Sequence, residues 1–118
     1  MFELTVIGYF SGAHRLRKYK GKCEKLHGHN WKVELAVESN QLDKLGMVLD
    51  FKFLKDRLNF VLEALDHKYL NDLAYFKEVN PTSENIASYI YGCLKKEIPA
   101  LLSVTVWESD KARATYEE

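Results

Sequence analysis

The stretch HGHNWKVELAVE, His27 to Glu38, settles the architecture. From His29 onward Trp31, Val33, Leu35 and Val37 alternate with Lys32, Glu34 and Glu38. A period of two with one apolar parity is the mark of a strand with one buried face. Residues 2–14 repeat it, with Phe2, Leu4, Val6 and Phe10 on one parity and Ile7 and Tyr9 on the other. The two segments read as antiparallel strands joined by a long basic loop, RLRKYKGKCEK, Arg15 to Lys25.

Beyond this hairpin the period lengthens. Leu54, Leu58, Val61, Leu62 and Leu65 fall at helical spacing after Phe51, with Lys52, Lys55, Asp56 and Glu63 off the stripe. In NPTSENIASYIYGCLKKEI, Asn80 to Ile98, Pro81 breaks the preceding chain and Thr82 or Ser83 can cap a second helix. Ile86, Ile90, Leu94 and Ile98 form its buried stripe before Pro99 stops it. LLSVTVWES, 101–109, alternates again, and RATYEE, 113–118, reads as a short last strand. The order β-β-α-α-β-β predicts an α+β fold whose helices cover one face of an antiparallel sheet.

A chain of 118 residues with 47% hydrophobic content can bury one ordinary core, so 1–118 is expected to be a single domain. Such a domain has little room for a deep private pocket, which makes a site shared between subunits plausible. Lys+Arg and Asp+Glu balance at 17 each and give no global reason to expect nucleic acid. Two cysteines make no disulfide framework, and no apolar run approaches the ~18 residues of a membrane span. A cytoplasmic protein in a reducing compartment, without a membrane partner, is expected.

The four histidines are the chemical signal. His27 and His29, two apart on one strand, aim at one point if the strand begins there, and Gly28 between them leaves the backbone approachable. If the first two strands pair, His14 at the end of the first lies beside them. Three imidazoles with an open fourth position suit a catalytic zinc better than a closed structural one. A chance surface turn would also carry His-Gly-His.

Cys23 sits four residues before His27, among Lys20, Lys22 and Lys25. It could close the cage as a fourth ligand, or stand off as a thiolate whose pKa the positive setting lowers. Cys93, inside the second apolar helix, reads as an inert buried thiol. Asp66 directly precedes His67 after the first helix has run out, and a carboxylate-held histidine is a proton carrier. Glu108 shares parity with Leu102, Val104 and Val106, so it points inward and needs a cationic or multi-donor partner. The parallel N–H donors of a guanidine-like ligand edge would fit it.

Taken together, FSGAHRL, CEKLHGHNW, GMVLDF, LDHKYLN, NPTSENIA and VTVWES follow one another as in the 6-pyruvoyltetrahydropterin and 6-carboxytetrahydropterin synthase family, which the chain resembles over nearly its whole length. The resemblance implies a tunnelling fold, in which small subunits form a barrel and assemble as a homohexamer with active sites between subunits. It implies His14, His27 and His29 as ligands of Zn2+, Cys23 as the catalytic thiol, and Asp66 with His67 as its relay. It further implies Glu108 as acceptor of the pterin's amino-pyrimidine edge, with Thr82 and Ser83 close to the pterin. Gly12 departs from the Ala or Ser of many members, at a position that is not a ligand.

The three residues between Cys23 and His27 resemble the spacing of the short bacterial queuosine-pathway enzymes, whereas the animal pyruvoyl synthases carry a longer insertion there. The expected activity is 6-carboxy-5,6,7,8-tetrahydropterin synthase, converting 7,8-dihydroneopterin triphosphate to 6-carboxytetrahydropterin, acetaldehyde and triphosphate. The alternatives are the pyruvoyl reaction, which releases no acetaldehyde, and a non-enzymatic module in which Cys23 and the histidines close a structural zinc site. The loop cations Arg15, Arg17, Lys18, Lys20, Lys22 and Lys25 would steer the triphosphate; RNA is the rival partner, disfavoured by the even charge.

Overall fold

The computed structural model describes residues 1–20 and 25–118. In chain order the elements are β1 (Phe2–His14), β2 (His27–Ser39), α1 (Phe51–Glu63), β3 (Lys68–Tyr69), α2 (Ser83–Lys95), β4 (Leu101–Ser109) and β5 (Ala112–Glu117), with 3-10 turns at Leu70–Asp72 and Ala74–Phe76. They form an α+β fold around one sheet of order β3-β1-β2-β4-β5. β1 and β2 pair antiparallel without interruption, from Phe2 opposite Ser39 to His14 opposite His27. The second strand therefore begins at His27, two residues earlier than the alternation alone marks.

The expected antiparallel sheet is in fact mixed, because β3 adds to β1 in parallel, with Gly12 opposite Lys68 and Ala13 opposite Tyr69. Two residues are too few to show a period, and what brings them there is not their own pattern. The His67 N–H donates to the Ser11 carbonyl at 2.6 Å, and the Ser11 N–H donates to Asp66 Oδ1 at 2.9 Å. This pair of bonds ties the chain leaving α1 to the edge of β1.

The alternation sorts the side chains as expected. Val6, Phe10, Trp31, Val33, Leu35, Val37, Val104 and Val106 are buried on one face of the sheet, against Leu54, Leu58 and Leu62 of α1 and Ile86, Ile90 and Leu94 of α2. Asp50 caps α1 by accepting from the Lys52 N–H, and Thr82, of the two candidates, caps α2 by accepting from the Asn85 N–H. Leu65 and Ile98 lie just past the helix ends, yet both stay in the core, since each folds back through its N–H onto the last helical turn. Cys93 corrects an expectation: it is exposed, because one residue before Leu94 it is turned about 100° off the buried stripe.

Candidate metal centre

Strand register builds the site. His14 lies directly opposite His27, and His29 follows two residues on, so all three imidazoles project from the same face at one end of the β1–β2 ladder. Glu108 reaches them from β4. Between Trp107 and Ser109 the β4–β5 register shifts by a bulge, a device that re-aims a side chain near a strand end. One ligand atom from each of His14, His27, His29 and Glu108 lies within 4.8 Å of all the others.

The floor beneath them is Trp31, fully buried, whose indole N–H donates to the Gly12 carbonyl at 3.2 Å. The rings of His14 and His29 stand edge-on to it at 5.0 and 5.2 Å. His14 is only 2% exposed, whereas the Glu108 side chain is 38% exposed, so the cluster is closed below and open on the carboxylate side.

Orientation of the rings tests whether these residues fit a metal. His14 Nδ1 donates to the Pro81 carbonyl at 2.7 Å, and His27 Nδ1 donates to the Lys25 carbonyl at 2.9 Å. A carbonyl can only accept, so both Nδ1 atoms carry a proton, and in the neutral imidazole each Nε2 then presents a lone pair. Those two Nε2 atoms are 3.1 Å apart. Two neutral imidazoles at that distance can share a metal ion or a proton. Tetrahedral ligation with metal–nitrogen bonds of about 2.0–2.1 Å sets ligand nitrogens roughly 3.3 Å apart, close to what is seen. The backbone carbonyls on Nδ1 are the orienting partners that metal-binding histidines commonly have. His29 Nε2 lies 2.9 Å from Glu108 Oε1, and His14 Nε2 lies 3.8 Å from the same oxygen. The donor set can hold a metal ion.

The remaining site residues fall in different places. Asp66 Oδ2 is 3.0 Å from His67 Nδ1, so carboxylate and imidazole are paired as expected. The Ser11 N–H holds the Asp66 carboxyl below its usual range, partial burial opposes this, and the His67 ring adds to the lowering. His67 has a positive φ of 56° and a side chain 82% exposed. It borders a shallow cleft of about 520 Å³ across residues 11–13, 28–30 and 67–69, which His29 also borders but His14, His27 and Glu108 do not. That cleft thus takes in His67 and His29 but not the whole imidazole cluster.

Glu108, expected at the pterin edge, stands in the histidine cluster itself. Thr82 engages its hydroxyl in the helix cap, and Ser83 is buried in the first turn of α2. Cys23 lies outside the described residues. Arg17, one of the cations assigned to the triphosphate, has its guanidinium committed to the carbonyls of Asn71, at 3.2 Å, and Val79, at 3.5 Å. Neither the Pro81 carbonyl nor the Trp31 floor is foreshadowed in the sequence, since a backbone oxygen and a core tryptophan carry no chemical label.

A family model described as 6-pyruvoyl tetrahydropterin synthase matches residues 3–118. The 6-carboxy-5,6,7,8-tetrahydropterin synthase of Synechocystis sp. is 41% identical over 113 aligned positions, covering 91% of this chain and 86% of its own. The putative 6-pyruvoyl tetrahydrobiopterin synthase of Caenorhabditis elegans is 39% identical over 139 positions, covering 98% of each. Among solved structures, the C. elegans 6-pyruvoyl tetrahydropterin synthase superposes with a TM-score of 0.87 at 30% identity, over 99% of this chain and 95% of that one. The chain belongs to the 6-pyruvoyl tetrahydropterin synthase family.

Proposed function

We propose that the protein is a zinc-dependent 6-carboxy-5,6,7,8-tetrahydropterin synthase, a lyase that converts 7,8-dihydroneopterin triphosphate to 6-carboxytetrahydropterin, acetaldehyde and triphosphate. The observation that carries the metal assignment is the pair of oriented imidazoles, His14 and His27, whose Nδ1 atoms donate to carbonyls while their Nε2 atoms face each other at 3.1 Å. The carboxy product is supported by the alignments. The carboxy synthase of Synechocystis sp. is 41% identical, against 39% for the C. elegans pyruvoyl relative. The three-residue spacing between Cys23 and His27 favours the same product. Cytoplasmic queuosine biosynthesis is the setting this activity serves.

Zinc on His14, His27 and His29 would supply Lewis acidity that lowers the pKa of the substrate's side-chain hydroxyls. Glu108, at the open side of the cluster, accepts the amino-pyrimidine edge and holds the side-chain carbons in place. Cys23, as thiolate, moves protons at those carbons, and His67, oriented by Asp66, serves as the second acid/base. Thr82 and Ser83 line the pterin side only through the backbone turn they build. Triphosphate departs by elimination, and cleavage of a carbon–carbon bond with uptake of one water, which supplies an oxygen of the carboxylate, releases the two-carbon product.

A 1–118 domain of this kind works as an oligomer in our proposal, with subunits closing a barrel and six copies forming the enzyme. Three features support it. Among the described residues the cleft that His67 borders takes in just His29 of the imidazole cluster, which favours a neighbour's His67 as the group that serves the substrate. On the sheet face that no helix covers, Ile7 and Tyr9 are 43% and 67% exposed. The outer edges of β5 and of most of β1 are unpaired among the described residues, and open edges are what closed assemblies remove. No helix is long and apolar enough to cross a membrane.

Incubation with 7,8-dihydroneopterin triphosphate and assay of acetaldehyde tests the product. Stoichiometric acetaldehyde with triphosphate release is expected; triphosphate without acetaldehyde would make the enzyme a pyruvoyl synthase. A Cys23→Ala variant should keep zinc and lose turnover. X-ray absorption showing sulfur bound to resting zinc would instead place Cys23 in the cage.

A further inference from the structure

The chain that leaves β1 does not run free. The side-chain amide of Asn71, itself 4% exposed, accepts the Arg15 N–H at 3.0 Å and donates to the Arg15 carbonyl at 3.0 Å. Two residues later Asn80 does the same to Arg17, accepting its N–H at 2.8 Å and donating to its carbonyl at 3.1 Å. Each amide thereby gives one residue the donor and acceptor that a neighbouring strand would give, so two side chains extend the edge of β1 past His14.

Asn80 differs from Asn71 in what its own backbone holds. The Asn80 carbonyl accepts from Asn85 Nδ2 at 2.8 Å and from the Thr82 N–H at 2.9 Å, which folds residues 80–85 into a tight turn at the start of α2. Within that turn is Pro81, whose carbonyl fixes His14 Nδ1. The same residue therefore anchors the root of the loop that carries Cys23, six residues beyond Arg17, and the turn that aims a metal-ligating imidazole.

We propose that Asn80 is a positioning residue for the metal centre: by binding Arg17 with its side chain and shaping the Pro81 turn with its carbonyl, it sets the direction of His14 relative to His27. Asn71, equally engaged in hydrogen bonds, holds Arg15 beside His14 but shapes no group that bonds an imidazole nitrogen, and is a structural clamp of the same segment. The proposal rests on the reading of His14, His27 and His29 as metal ligands. Orienting partners of metal-bound histidines typically contribute about 10–100-fold to metal affinity, and Asn80 acts through such a partner.

The test compares zinc affinity, by competition with a chromophoric chelator, with the thermal midpoint of the metal-free protein, in wild type, Asn80→Ala and Asn71→Ala. Asn80→Ala should weaken zinc binding about tenfold, whereas Asn71→Ala should lower the thermal midpoint as much or more and leave zinc affinity within about twofold. Equal affinities in wild type and Asn80→Ala, or equal losses in the two variants, would overturn the positioning role. Wild type that binds no zinc would overturn instead the metal reading on which it rests. If Asn80→Ala does not fold, Asn85→Ala carries the comparison. It leaves the Asn80 side chain on Arg17 and removes only a bond to the Asn80 carbonyl, so a loss of zinc affinity of about threefold is expected. An unchanged affinity in that variant overturns the proposal.

Discussion

Lone-pair direction is the property of single residues on which the site depends. His14 and His27 are fixed by carbonyls on Nδ1, and His29 reaches the same point with Glu108 beside it. Replacing His29 by alanine removes a donor rather than an orienting partner, so zinc affinity should fall by more than about a hundredfold in chelator competition. Glu108→Gln separates the two roles open to the carboxylate. As a substrate anchor, its loss raises KM and leaves zinc in place; loss of zinc on the same substitution would make it a ligand. Asp66 offers a pH signature. Its carboxyl is held below the ordinary value of 3.8, first by the Ser11 N–H and then by His67. A depressed folded pKa gives stability that is present above the unfolded value and is lost as pH falls through the folded one. The stability difference between wild type and Asp66→Asn, from urea unfolding at a series of pH values, should therefore shrink as pH falls below 3.8. A difference that does not change with acid would disprove this contribution.

Among the elements, the β1–β2 hairpin and α1 are held at close range by a residue with no side chain. A Cβ on Gly8 would stand 2.7 Å from Leu62 Cδ1 and 3.2 Å from Leu58 Cδ2, both buried core methyls. Gly8→Ala should destabilise the fold by about 1–3 kcal/mol in urea unfolding, because the buried Leu62 side chain must be displaced, or helix and strand must separate, to admit the methyl. Where the strand yields rather than Leu62, the hairpin that carries all three histidines shifts with it and a zinc-affinity loss should accompany the loss of stability. The alternation in 2–14 and 29–38 is enough to read this hairpin, since both strands have one face in the core and every second residue shows it. The parallel strand β3 is not legible in the same way. It is placed by the hydrogen bonds of Ser11 with Asp66 and His67, which join residues 55 and 56 positions apart.

For the molecule as a whole, shape and metal dependence are the informative quantities. The radius of gyration is 15.3 Å, with extents of 55 × 26 × 23 Å, against about 13.5 Å for a compact chain of this length. An elongated subunit with open sheet edges fits the proposed hexamer, which native mass spectrometry should show as six copies. Chelation of the metal should stop turnover and leave far-UV circular dichroism unchanged, because the core of Trp31, Leu35, Leu58, Ile90 and Val104 closes without help from the histidines. Unfolding on chelation would mean a structural zinc site.

Periodicity and residue type suffice for the hairpin, both helices, the histidine trio and the Asp66–His67 pair, because each is written in local spacing or in chemically labelled side chains. The order of the motifs along the chain likewise points to the family. It takes the folded chain to bring Glu108 to the imidazoles, to put Trp31 beneath them, to turn the Pro81 carbonyl onto His14, and to extend β1 with Asn71 and Asn80. These contacts join segments distant in sequence, most of them through backbone atoms, which every residue possesses and no sequence pattern distinguishes.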